Sequence, residues 1–176
     1  MKVLIDTNEK DTSRQKMILY HGSNVSVESP KIVQSQRTVD FGRGFYTTTN
    51  KKQAEIFAQK VFARRKAGET TVTVYEMDFE SAGSEFRVLR FLSPDEKWLD
   101  YVTQNRRGAY VGQFYDIVFG PVANDDVYLT IGALETGILT REQAIVALKV
   151  KKLYEQFVLK SAAALSWLKY RENYVL

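Results

Sequence analysis

The chain has 176 residues, of which 44% are hydrophobic and 26% charged, with a formal charge of +4 and no cysteine. This is enough chain and enough apolar material for one domain with a proper core. Disulfide scaffolds, thiolate nucleophiles and cysteine zinc sites are excluded, and a single histidine leaves no room for a two-histidine metal centre.

Residues 1–16 are polar after Val3-Leu4-Ile5 and read as an N-terminal extension to a single domain over 17–176. The extension lacks the apolar core of a signal peptide, and no stretch reaches membrane-spanning length, so the expectation is a cytoplasmic protein without membrane contact. Ile18 to Tyr20 begins a strand ending at His21-Gly22-Ser23. Asn24 to Asp40 is irregular, and Phe41 to Thr48 is a glycine-bearing loop that enters a strand. Asn50 and Gln53 form a capping-box pattern. Ala54, Phe57, Ala58, Val61 and Phe62 follow at helical spacing, which predicts a helix with both phenylalanines in the core. Arg64-Arg65-Lys66, the densest basic cluster, closes it against the helix dipole.

Thr70 to Asp78 alternates as a strand, and Glu85 to Phe91 reads as another. Ser93-Pro94-Asp95-Glu96 supplies a cap, a first-turn proline and a capping glutamate for a helix through Val102, with Trp98 expected in the core. Tyr115 to Phe119 is a short strand stopped by Gly120-Pro121, and Val127 to Ile131 is strand or helix. Asp116, Asp125 and Asp126 could suggest a metal, but a turn explains the last two and no metal is expected. Thr140 with Gln143 caps a helix carrying Ala144, Ala147 and Leu148. Leu153 to Leu159 is a strand, and Ser161 caps a final helix through Leu168. Strands come in runs without a regular βαβ repeat, which predicts an α+β fold.

Three segments carry candidate chemistry. In Tyr20-His21-Gly22-Ser23 an imidazole stands beside backbone that a ligand can approach closely; a capped surface turn is the plainer alternative. In Phe41-Gly42-Arg43-Gly44-Phe45-Tyr46-Thr47-Thr48, Arg43 could reach a phosphate, and Phe45 and Tyr46 point to opposite faces of a strand. A dinucleotide-binding fingerprint fails because threonine stands at position 47. In Tyr154-Glu155-Gln156-Phe157-Val158-Leu159, alternation separates Gln156 and Val158 from Glu155 and Phe157.

Taken in order, these segments resemble the diphtheria-toxin and poly(ADP-ribose) polymerase branch of ADP-ribosyltransferases, close to an uncharacterised bacterial family of small free-standing members. The resemblance covers Ile18 to about Leu168. It implies two small antiparallel sheets around an NAD cleft with peripheral helices, and NAD as co-substrate. It also implies that His21 bonds a ribose hydroxyl, that Gly22 backbone groups grip the nicotinamide amide and that Tyr46 stacks on its ring. Ser23 and Arg43 would assist ribose and phosphate. The family's glutamate falls on Gln156, which can hydrogen-bond but carries no charge. Glu155 replaces it only in a register shifted by one, which changes its face. The implied activity is mono-ADP-ribosylation of a protein or nucleic acid acceptor through a His-Tyr-Gln site, or else NAD binding with little turnover. An antitoxin-like partner belongs to the same set of expectations.

Overall fold

The structure, a computed structural model, describes residues 16–32, 39–121, 125–149 and 153–176. The extension read over residues 1–16 lies outside these, Lys16 excepted, as does part of the irregular segment before Asp40.

Strand β1 (Met17–Ser23) pairs antiparallel with β3 (Thr71–Met77), and β3 with the C-terminal β7 (Lys169–Val175), giving a sheet in the order β1-β3-β7. A second sheet runs β2 (Phe45–Thr47), β6 (Glu155–Leu159), β5 (Ile117–Pro121) and β4 (Val88–Arg90). The architecture among the described residues is therefore α+β with two small sheets and six helices, as alternation and strand runs suggested. One expectation is corrected: the second sheet is mixed, because β4 pairs parallel with β5. The helix α3 (Glu96–Arg106) carries the chain between them, the kind of crossover a parallel pair requires.

Side chains alternate between the two faces of each sheet, and β3 and β5, buried on both faces, lie inside a stack of four layers. Leu19, Tyr75 and Met77 of the first sheet pack against Phe45, Ile117, Phe119, Phe157 and Leu159 of the second. The opposite face of the second sheet, with Val118 and Val158, takes Trp98, Leu99 and Val102 of α3. Val127 and Ile131 of α4 (Asp125–Glu135) and Ile145 and Leu148 of α5 (Arg141–Lys149) complete that layer. On the outer face of the first sheet, Val72 meets Ala54 and Ala58 of α1 (Lys51–Arg65). Trp98 is fully buried and donates Nε1–H to the Pro121 carbonyl at 3.0 Å, a core residue as expected.

Several local readings change. Residues 79–85, of which only Glu85 is expected in a strand and the others in no element, form α2 (Phe79–Glu85), because the Asp78 carboxylate accepts from Ser81 N at 3.1 Å and from Ser81 Oγ at 2.7 Å. The cap of α3 is Asp95, not Ser93: its carboxylate accepts from Trp98 N at 2.9 Å, so Pro94 precedes the helix. Gly120-Pro121 does not stop β5; the two residues pair with Gln156 and Glu155. The ambiguous segment at 127–131 is helical, and its Val127 and Ile131 share one face at a spacing of four. The last helix, α6 (Ala162–Leu165), ends early, and the chain returns as β7, which was not anticipated. Thr140 and Gln143 form the expected reciprocal box, at 3.3 and 2.9 Å. Among the described residues, no helix is long and apolar enough to cross a membrane.

Candidate functional site

The two sheets touch edge to edge at one bridge. Tyr20 N donates to Thr48 O at 2.8 Å, and Thr48 N to Tyr20 O at 3.0 Å. Successive residues of a strand direct their backbone groups to alternate sides. Gly22 therefore aims its N–H and C=O to the side that Tyr20 uses, and Tyr46 to the side that Thr48 uses. Continued antiparallel pairing would set Gly22 opposite Tyr46. Instead the His21 imidazole takes the Tyr46 carbonyl, with Nδ1 2.8 Å from the oxygen. The ladder is opened at that point, and the Gly22 peptide groups face the gap between β1 and β2.

His21 is partly buried and stacks on Phe45, ring centroids 4.4 Å apart. Burial lowers its pKa against the opposing pull of the Tyr46 carbonyl bond, so the ring is neutral near pH 7. A carbonyl only accepts, so the proton sits on Nδ1 and leaves Nε2 as an acceptor. A histidine kept neutral in the fold takes up its proton more readily when unfolded. Its contribution to stability is therefore constant above about pH 6.5 and declines as the pH falls through that value. Acid titration of thermal stability should show this loss in the wild type and not in His21→Gln; identical profiles would refute the assignment.

Tyr46 and Phe45 do project to opposite faces of β2, as expected. The imidazole consequently lies on the Phe45 side, and what it meets of Tyr46 is backbone, not phenol. The Tyr46 hydroxyl donates to Gly42 O at 2.6 Å and accepts from Phe41 N at 3.2 Å. Burial, reinforced by the nearby Asp40 carboxylate, raises its pKa well above the usual value, so the phenol stays protonated and pins the 41–44 turn. Gly42 there has φ +73°, the left-handed region that favours glycine. Lys160 braces the same turn, donating to Phe41 O and to Tyr101 Oη at 3.2 Å, and burial pushes its pKa down to about 8. Asp40 pairs with Arg106 at 2.9 Å. No local pattern in the sequence marks Lys160 or Arg106 as parts of this support, since their partners are remote in the chain.

Gln156 lies on the face of β6 that carries Val158, opposite Tyr46 in register, and extrapolated pairing sets it beside Thr48. Its Oε1 is buried and has no hydrogen-bond partner among the described residues. Glu155 is exposed on the other face. Its carbonyl, with Gln53 Oε1, shares the single proton of the Thr48 hydroxyl at 2.8 and 2.7 Å. In this register Gln156, not Glu155, shares the face with Tyr46. Ser23 closes β1 opposite Thr71, and Arg43 is exposed and reaches Ile32 O at 3.4 Å.

Two rings expected in the core lie outside it: Phe57 is 50% exposed, and Phe62 39%. The contacts of α1 orient its flanks. Lys51 lies over the Tyr174 ring and Glu55 accepts from the Tyr174 hydroxyl, so that flank faces β7. Gln53 faces Thr48 on the opposite flank. Phe57, four residues on from Gln53, continues the Thr48 flank at the level where Ala54 and Ala58 cross Gly22. It therefore stands beside the gap. Helical spacing marked Phe57 as apolar but could not say which of two apolar stripes was buried.

Two cavities of about 360 and 270 Å³ open elsewhere, one lined by residues including Glu76, Asp78 and Trp167, the other by residues including Asn24, Gly68 and Asn173. His21, Tyr46 and Gln156 line neither; the candidate site is an open seam between strands. No curated protein matches the chain. A family matches residues 17–170, nearly the whole of the sequence, and by that match the chain belongs to DUF3990, a family described as proteins of unknown function.

Proposed function

We propose that the chain is an ADP-ribosyltransferase-type domain that takes NAD into the seam between β1 and β2 and transfers one ADP-ribose to a macromolecular acceptor. The observation that carries this reading is the opened ladder at Gly22. A primary carboxamide needs one acceptor and one donor side by side, and a peptide edge with its C=O and N–H turned to the same gap offers both. His21 holds the gap open by occupying the Tyr46 carbonyl. The Tyr46 ring, packed against the helical layer but partly exposed, and Phe57 supply flat aromatic surfaces nearby. Neutral Nε2 of His21 suits a ribose hydroxyl as its donor. The unpartnered Gln156 amide oxygen suits a second one.

NAD would supply a ribose bonded to a good leaving group: the nicotinamide–ribose bond breaks, an acceptor nucleophile bonds to the anomeric carbon, and the nucleophile's proton passes to solvent. What this chain contributes is grip and orientation. Its weak point is Gln156, which offers no negative charge to a developing cationic ribose. That favours acceptors bringing their own nucleophile, and it equally supports a second reading, an NAD-binding module with little turnover.

Incubation with radiolabelled NAD separates the two. A transferase releases nicotinamide and leaves label on protein or nucleic acid; a binding module shows affinity without release. Gln156→Glu is expected to raise nicotinamide release about a hundredfold, the scale typical of one well-placed electrostatic group. No affinity for NAD in either protein would remove the proposal.

A further inference from the structure

The basic excess of the chain is concentrated on one helix. Residues 51–66 hold six cations, Lys51, Lys52, Lys60, Arg64, Arg65 and Lys66, against the single carboxylate of Glu55, a net +5 where the whole chain carries +4. All six cations are exposed. Only Ala54, Ala58 and Val61 of α1 are buried, so the helix rides on the sheet by a narrow strip of small residues and turns most of its circumference to solvent. Apolar side chains are interleaved with the cations on that outer surface: Ile56 is 39% exposed and Phe62 39%. Dipole compensation accounts for Arg64 and Arg65 in the last turn and the Glu55 carboxylate, 3.5 Å away, for Lys52, and leaves the exposed Ile56 and Phe62 unexplained.

The outer surface is also continuous with the seam. Gln53, Phe57, Lys60 and Arg64 follow at spacings of four, three and four, a single stripe along the helix. It begins at Thr48, passes the gap at Gly22 and runs on with Lys60 and Arg64, which are about 6 Å apart along the axis. A free dinucleotide has only one diphosphate to place, whereas the cations extend beyond the gap and around the outside of the helix. A surface of cations with interleaved apolar groups matches a single strand, whose phosphates are regularly spaced and whose unstacked bases offer apolar faces.

We propose that the outer surface of α1 binds single-stranded nucleic acid and delivers it to the seam as the acceptor. The delivery rests on the NAD reading above; the binding does not.

The test is fluorescence anisotropy of labelled oligothymidylate and oligouridylate with the full chain, in parallel with NAD titration by calorimetry. Lys60→Gln combined with Arg64→Gln should weaken oligonucleotide binding on the order of twentyfold near 0.1 M salt. It should also flatten the plot of log affinity against log salt by about 0.7 for each contact removed. NAD affinity should be unchanged. Oligonucleotide binding without NAD binding would leave this surface standing and end the reading of the seam. Wild-type affinity or an unaltered salt slope in the double variant overturns the proposal, and so does an equal preference for duplex. A loss of NAD affinity in step with oligonucleotide affinity would assign the two cations to the dinucleotide instead.

Discussion

Gly22→Ala is expected to destabilise the protein by about 3 kcal/mol and to lower its melting temperature by roughly 10 °C. A Cβ at this position would lie 2.1 Å from Ala54 O and 2.8 Å from Ala58 N. Both are backbone atoms, so no rotamer change relieves the contact and α1 itself must lift from β1. The helix resists lifting at both ends. Thr48 donates to Gln53 Oε1 at 2.7 Å at its start, while at the other end Asn24 donates to Ala67 O at 2.8 Å and accepts from Arg65 at 3.2 Å. Alanine restricts the unfolded chain more than glycine and returns about 0.4–1 kcal/mol, too little to compensate. Shortening the facing side chain with Ala54→Gly should give no rescue, because the offending atom is a carbonyl. Thermal unfolding of the single and double variants checks this; a melting temperature within a degree or two of wild type would mean that α1 does not cross β1 at Gly22. NAD affinity should be lost along with the packing, since the same residue lines the seam.

The second large effect is a separation of roles at His21. His21→Ala removes the donor that holds the Tyr46 carbonyl and the acceptor at Nε2 together. Stability should drop by about 1–3 kcal/mol for the carbonyl left without a partner, and NAD binding should vanish. His21→Asn keeps an N–H near the place of Nδ1 but has nothing at Nε2. It should recover most of the stability lost in the alanine variant, yet remain impaired by a hundredfold or more in nicotinamide release. Denaturant titration and nicotinamide release on the three proteins make the comparison. An asparagine variant as active as wild type would show that Nε2 contacts nothing that matters.

The site was legible in unequal parts. His21 and Tyr46 pair as candidates through the resemblance; local chemistry alone offers a histidine before a glycine, which a surface turn explains as well, and an aromatic pair after a tight loop. That they meet through a carbonyl, with the rings on opposite sides of β2, is legible in neither, because it depends on the relative height of two strands from different sheets. Which of Glu155 and Gln156 shares a face with Tyr46 was a matter of register, and pairing with β2 and β5 puts Gln156 there. Lys160 is invisible as a support of the 41–44 turn until β6 delivers it there.

By itself the sequence determined what short-range physics determines: the capped helices at Asn50 and Thr140, the alternating strand at 71–77, the glycine-bearing loop before β2, and the absence of thiol chemistry. Tertiary structure decided the rest. An exposed strand such as β7 has no apolar alternation to betray it, and exists because β3 offers an edge. Phe57 and Phe62 fit a core stripe by periodicity, yet the close approach permitted by Gly22 seats the helix on Ala54 and Ala58 instead. The reason is common to both: period gives the direction of a side chain relative to its own element, and only packing says what lies in that direction.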